Sequence, residues 1–403
     1  MKKFYLLLMA AVAVSASAQD AENWNFHPSR VDNYFLYSAG EEPHYSNTVW
    51  FSYDSEGRLI QRIQGQDTDL QNVVTVGPSS RALDEEGYPD KYVYTYDSVV
   101  KNWRTSCKVY ELIPGGTWQE QVYNDDNYTL EVTRDAQGRI SRILKPEEDG
   151  DYEKLTIDYG TDGKAERLTH VEIDSQGMIN DSTVCSKLVW LETDGQITAM
   201  GDFAALCLRG STNRPLSCHV ENWDEGELCE EYDVKVTYTD ARGSFRYELT
   251  GRELLYQETP APYSRAGTVW EEIKNTVTYT YTDDYGSFKR VTEITEGDWT
   301  ETEEFTKTLD RFGIVTYIDE NYDYSYEIKG TVTYDPQTGL PAAVDYDLGY
   351  NGAIRMVFSG GYEAGIREIA ADSSEQLYDL LGRKTSGRRP GLYISRSGKH
   401  LRR

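Results

Sequence analysis

The side chains with chemistry to offer here are carboxylates, tyrosines and a few thiols. The 403 residues include 68 Asp and Glu, 32 Tyr, 5 Cys and 5 His. Acidic pairs such as Glu147-Glu148 and Asp125-Asp126 suggest glycoside hydrolysis, which needs two carboxylates roughly 5–10 Å apart in space. In so acidic a chain such neighbours are inevitable, and they single out no pair. His27, His44, His170, His219 and His400 are scattered. No H-E-x-x-H, G-x-S-x-G or phosphate-loop pattern sets a base beside a nucleophile. Zinc is disfavoured because C-x-x-C and paired-His spacings are absent. Repeated Asp-x-x-Gly segments invite calcium, but none has the full D-x-[DN]-x-[DN]-G pattern, and hairpin turns use the same two residue types. The expectation is therefore a non-enzyme without a cofactor.

Two other groups have chemical potential. Tyr92, Tyr94 and Tyr96 share one strand face, as do Tyr322, Tyr324 and Tyr326. Such rows stack on sugar rings or on a protein partner, or pack across strands to hold a thin sheet together. Cys207 and Cys218 flank a segment rich in turn formers, Gly210, Ser211, Asn213 and Pro215. A hairpin there would set the two thiols opposite each other as a disulfide, with Cys229 as the competitor. Cys107 and Cys185 read as single buried strand residues.

The elements that must position these groups are strands. Val49, Phe51 and Tyr53 alternate before Asp54-Ser55-Glu56-Gly57. Leu155, Ile157 and Tyr159 precede Gly160-Thr161-Asp162-Gly163, and Val277, Tyr279 and Tyr281 precede Thr282-Asp283-Asp284-Tyr285-Gly286. Alternation puts the Val/Tyr positions on one face, Asp accepts turn amides and Gly supplies positive φ. Turn-marking glycines recur at about 25 residues or twice that, the mark of a repeat architecture. Trp103, Trp118, Trp223, Trp270 and Trp299 open further strands. Helical periodicity is nearly absent outside the first residues. The expected fold is all-β: an elongated, curved antiparallel sheet or meander of hairpins, with a soluble barrel-like closure as the alternative and a small C-terminal β hairpin. A membrane barrel fits poorly, because the face opposite the tyrosines is Thr, Lys, Asp and Glu rather than an apolar belt.

Charge divides the chain. Its formal net charge is −27, which repels nucleic acid and anionic lipid. From Ile366 onward there are nine basic and four acidic residues. Met1-Lys2-Lys3, the apolar run Phe4–Val14 and Ala16-Ser17-Ala18 make a signal peptide, residues 1–18, cleaved between Ala18 and Gln19. A lead-in segment (19–44), a hairpin-repeat body (45–365) and a tail (366–403) follow. No later stretch is long and apolar enough for a transmembrane helix.

The body, over roughly 45–345, resembles the tyrosine–aspartate repeat proteins secreted by bacteria of the Bacteroidetes type. The tail carries Tyr378, Asp379, Leu380, Gly382 and Arg383, then Gly391, Leu392, Tyr393 and Ile394, and ends on basic residues. It is similar to the C-terminal sorting domain of the type IX secretion system, in a shorter form. The resemblance implies export through the periplasm to the exterior or the outer cell surface, with the type IX machinery as partner. The function expected is a binding or structural display module recognising a glycan or a host or surface protein. The alternative is a carbohydrate-binding or glycan-cleaving protein using an aromatic face with carboxylates.

Overall fold

The computed structural model describes residues 24–36, 43–65, 89–113, 117–122, 124, 126–147, 150–198, 204–208, 211, 213–255, 269–296, 299–321, 326–348 and 352–360, and the tail segments 366–368, 377–378, 384–385, 391–395 and 398–402. The fold is all-β, as expected. The body opens with β1 (Arg30–Leu36), β2 (His44–Tyr53), β3 (Leu59–Gly65), β4 (Asp90–Tyr96) and β5 (Arg104–Ile113). Short strands follow: β6 (Thr117–Glu120), β7 (Tyr128–Thr129), β8 (Glu131–Arg134) and β9 (Ile140–Pro146). A run of longer strands comes next: β10 (Tyr152–Tyr159), β11 (Ala165–Ile173), β12 (Ile179–Glu192), β13 (Arg214–Asp224), β14 (Glu227–Tyr238) and β15 (Phe245–Leu255). The body ends with β16 (Val269–Tyr281), β17 (Phe288–Glu296), β18 (Trp299–Leu309), β19 (Val315–Asn321), β20 (Tyr326–Tyr334), β21 (Pro341–Asp347) and β22 (Ala353–Ser359). These 22 strands form one antiparallel sheet in which sequence neighbours pair almost throughout.

The turn at Tyr53–Leu59 shows why these residues reverse the chain. The Asp54 amide donates to the Arg58 carbonyl at 2.9 Å, and the Gly57 amide returns to the Asp54 carbonyl at 3.0 Å. Asp54 Oδ1 accepts the amides of Glu56 and Arg58 at 2.8 and 3.0 Å, while Oδ2 accepts Arg58 Nε at 2.7 Å. Gly57 sits at φ +83°, a region that L side chains rarely adopt. Asp135–Arg139 repeats this wiring, and Asp174–Met178 and Asp310–Ile314 repeat it without the arginine. Asp240 and Asp283 cap loops one residue longer. Asp97 caps its turn with no glycine, through the amides of Val99 and Val100.

Neighbouring turns are tied together. Arg58, Arg139 and Arg311 donate to the carbonyls of Lys101, Gly163 and Gly339 in the next turn, at 2.8, 2.7 and 2.9 Å. The tyrosine ending the next hairpin strand lies against the same guanidinium: Tyr96, Tyr159 and Tyr334 rings are 5.0, 3.9 and 5.4 Å from Arg58, Arg139 and Arg311. Tyr96, Tyr159 and Tyr238 donate their hydroxyls to the carbonyls of Leu59, Ile140 and Pro215.

The first and last strands of the body pair with each other. β1 pairs with β2 on one side and with β22 on the other, Arg30 opposite Ser359 and Phe35 opposite Ile354. The sheet is not closed into a barrel: among the described residues β5 pairs with β6 and β7, but neither of these pairs with β8, and most buried residues fall in two clusters. One spans β1–β5 and β19–β22 and centres on Phe26, Val109, Ile314 and Val344. The other spans β9–β15 and centres on Ile140, Ile143, Val220 and Phe245. Residues 24–36, expected as lead-in, belong to the body. Phe26 is 1% exposed and packs 5.2 Å from Phe358, 5.3 Å from Trp24 and 5.8 Å from Phe312. That segment lacks the Asp-Gly turn, so its alternation alone was too short to mark it. The tail strands β23 (Ile366–Glu368), β24 (Leu377–Tyr378), β25 (Lys384–Thr385), β26 (Gly391–Ser395) and β27 (Gly398–Arg402) form a second sheet of five.

Two glycine substitutions separate turn strain from packing. A Cβ on Gly138, also at φ +80°, meets nothing within 4 Å, whereas one on Gly57 lies 2.7 Å from His27 Cε1. Gly138→Ala should cost about 1–2 kcal/mol from the left-handed backbone alone. Gly57→Ala should cost clearly more, because it also displaces a packed ring. Urea denaturation of the two variants compares them directly, and equal losses would contradict the packing of His27 on that turn.

Candidate functional site

The core face of β3–β5 brings charged and aromatic side chains together away from the turns. Arg62 pairs across to Tyr92, and its guanidinium carbon is 3.9 Å from the Tyr92 ring centre. Arg104 lies 3.8 Å from the centre of the Tyr94 ring. Asp90 and Glu111 stand directly opposite on β4 and β5. Glu111 accepts a hydrogen bond from Gln121 Nε2 at 2.8 Å. Burial, and then the like charge of Glu111, push the Asp90 carboxyl upward against the pull of Arg62. Burial lowers Arg104. Asp90 and Glu111 are far apart in sequence, so scanning for adjacent acidic residues missed them; only the register of the β4–β5 hairpin reveals the pair.

A groove of about 640 Å³ adjoins this cluster, between the segment joining β6 to β7 and the hairpin joining β9 to β10. Its lining includes Asn124, Asn127, Tyr128, Lys145, Glu147 and Asp151. Lys145 Nζ holds Glu147 at 3.1 Å and Glu153 at 2.6 Å. Asp151 accepts the Ser175 amide at 2.7 Å. Asn127 donates to the Gln121 carbonyl at 2.9 Å, and its own side-chain carbonyl is buried with no donor in the protein. Tyr128 is half-buried beside the Arg104 guanidinium. The lining mixes donors and acceptors around one aromatic face.

The residues singled out in the sequence fall differently. Tyr92, Tyr94 and Tyr96 do not form an open stacking row: Tyr94 is 7% exposed, and each ring carries an arginine. Cross-strand packing has taken them, because their face is the core face. Tyr322 and Tyr324 lie outside the described residues; Tyr326 opens β20, and its side chain is not described. Trp50, Trp118 and Trp270 have Arg30, Lys91 and Arg252 over their rings. Among the described residues, the Asp-x-x-Gly carboxylates of Asp54, Asp135, Asp174, Asp240, Asp283 and Asp310 are occupied by backbone amides. No group of three or more His, Cys, Asp or Glu fit for a metal ion occurs among the described residues.

The expected Cys207–Cys218 bridge is not formed. Cys207 ends a 3-10 turn, Ala204–Cys207, whereas Cys218 lies inside β13, so the two do not face each other across a hairpin. All five cysteines are free thiols. Ala18, Gln19, Asp379, Leu380, Gly382 and Arg383 lie outside the described residues. Of the remaining tail motif, Tyr378 pairs with Ile394, and Leu392 and Tyr393 pair with Leu401 and His400. No helix among the described residues is long and apolar enough to cross a membrane.

No family model matches this chain, and no curated protein does. Among solved structures it is similar to a porin-like protein from Bacteroides uniformis, with 10% identity, 83% of this chain and 98% of that chain covered, and a TM-score of 0.25. It is also similar to TcdB2-TccC3 without its hypervariable C-terminal region, with 9% identity and a TM-score of 0.14. That match covers 92% of this chain and spans 21% of the other. Likenesses this slight define neither a family nor a function.

The titrating groups predict a pH response. Partial burial opposes it, but the amides of Arg58 and Glu56 and the Arg58 guanidinium hold Asp54 below the ordinary carboxylate range. Its contribution is full above about pH 4 and is lost as pH falls through its lower folded value. Burial likewise lowers His27, against the pull of Asp54, so His27 costs stability as pH drops below about 6.5. Asp90 has the opposite sign: its raised folded value costs stability as pH rises through it. Asp90→Asn should therefore raise the urea midpoint at pH 7 and leave it little changed at pH 3. His27→Gln should remove the decline between pH 6.5 and about 5. A wild-type midpoint flat over that window would sink the His27 assignment.

Proposed function

We propose that this chain is an exported, non-enzymatic β-repeat protein of the cell surface that binds a polar, hydroxyl-rich ligand such as a glycan. The observation that carries the binding reading is the groove beside β7. It offers amides, carboxylates, an ammonium group and the Tyr128 ring within one concavity, which suits a neutral ligand with many hydroxyls better than an ion. The absence of catalysis is inferred from the use of carboxylates elsewhere: those of the turns are spent on backbone amides and arginines. The Asp90–Glu111 pair faces Arg62 and the tyrosines, in a setting that favours holding a proton over attacking a substrate. The type IX route rests on the ordered tail motifs, and it is supported by the tail strands pairing with one another in their own sheet.

Two measurements test this reading. The mature chain should retain glycans on an array, and Tyr128→Ala with Asn127→Ala should abolish that retention while keeping a cooperative urea transition, at a stability cost of roughly 2–4 kcal/mol. Undiminished binding by the double variant would move the site elsewhere. Deleting Gly391–Arg403 should hold the protein in the periplasm with its body folded, and normal surface delivery of the truncated chain would refute the sorting role.

A further inference from the structure

The core of β9–β15 contains three thiols. Cys185, Cys207 and Cys218 are 6, 2 and 4% exposed. β12 and β13 are antiparallel neighbours, with Cys185 opposite Val220. Cys218 is therefore the diagonal neighbour of Cys185 on the same face. Immediately beyond Cys185 the register breaks between Ser186 and Val189, where Lys187 adopts φ 53°. Such a bulge steepens the local twist and re-aims the side chains beside it. The Cys185 and Cys218 thiols lie close enough to perturb each other's ionisation, Cys185 downward and Cys218 upward. Cys207 lies near both Tyr238 and Cys218, at the end of the 3-10 turn rather than on a strand paired with β13. Two buried thiols in contact across a strand pair exceed what packing requires, since a lone cysteine fills the same volume as a small apolar residue.

We infer that Cys185 and Cys218 are a disulfide-forming pair that joins β12 to β13 when the chain folds in an oxidising compartment. The compartment rests on the export proposed above; the pairing does not. One thiolate attacks a sulfur of a disulfide-bearing oxidant and displaces a thiol. The second thiolate then attacks the mixed disulfide and releases the other thiol. Two protons leave the cysteines, and two electrons reduce the oxidant's disulfide to two thiols. Both sulfurs are buried in the finished fold, so the bond forms while the β12–β13 pair assembles.

The test is refolding of the full chain from urea in a buffer of oxidised and reduced glutathione, then alkylation and peptide mapping. The expected result is a fall from the five free thiols of the reduced chain to three, with the Cys185 peptide joined to that of Cys218. Oxidation should raise the thermal midpoint by roughly 5 °C, a gain absent from Cys185→Ser. Should that variant fail to fold, Cys218→Ala serves, and its Cys185 should stay free. Five free thiols after refolding, or Cys218 joined to Cys207 or Cys229, would overturn the pairing. A bridge that forms with glutathione but is absent from protein isolated from cells would refute the export reading and leave the pairing intact.

Discussion

The aspartate that caps a recurring class of turn underlies this molecule. An aspartate at the end of a strand accepts two or three backbone amides that a reversing chain would otherwise leave unpaired. Where an arginine follows the glycine, the second oxygen grips that guanidinium, and the guanidinium reaches the next turn and covers its tyrosine. The turns carrying Arg58 and Arg139 are thereby fastened to the ones after them at a single edge of the sheet, and Arg311 ties its turn to the next in the same way. Apolar residues gather near this edge, as at Phe51 and Leu59, Ile140 and Ile157, and Val236 and Phe245, because neighbouring strands are held there in fixed register.

The same device makes a strongly acidic chain workable. Carboxylates bound to amides and arginines do not repel one another as free surface charges would, and some are held below their ordinary range. Away from the turns the face becomes polar: Gln64, Asp90 and Glu111 continue the row begun by Val49. The groove lies in that polar region, where β5 is covered by two short strands instead of one long neighbour.

Period-two alternation and the Asp-Gly turn made the hairpins legible in the sequence, and both are local features. Positions that depend on distant residues were not. The arginine after the glycine was visible at Arg58 and Arg139, yet its purpose appears only when the next turn is beside it. Tyr92, Tyr94 and Tyr96 were placed correctly on one face, but which face becomes the core is a tertiary matter. The segment after Cys207 has the composition of a hairpin loop, but Cys207 itself ends a 3-10 turn, Ala204–Cys207, rather than a strand opposite β13, and that turn delivers Leu206 and Cys207 to the core. The Asp90–Glu111 pair needed the register of β4 against β5.

The union of the first and last body strands governs how the molecule is made. Ser29 and Ser359 hydrogen-bond across 330 positions of sequence. A polypeptide emerging from a channel amino end first has β1 in hand long before β22 arrives. Hairpins zip up one after another on local contacts, while β1 keeps an unpartnered edge until the final strand appears. Closing so large a loop adds little entropy beyond a shorter one but makes the last step slow. During that interval the open edge is a template for any passing strand, so a companion that shields it, or passage through a confined pore, would favour the correct ending over aggregation.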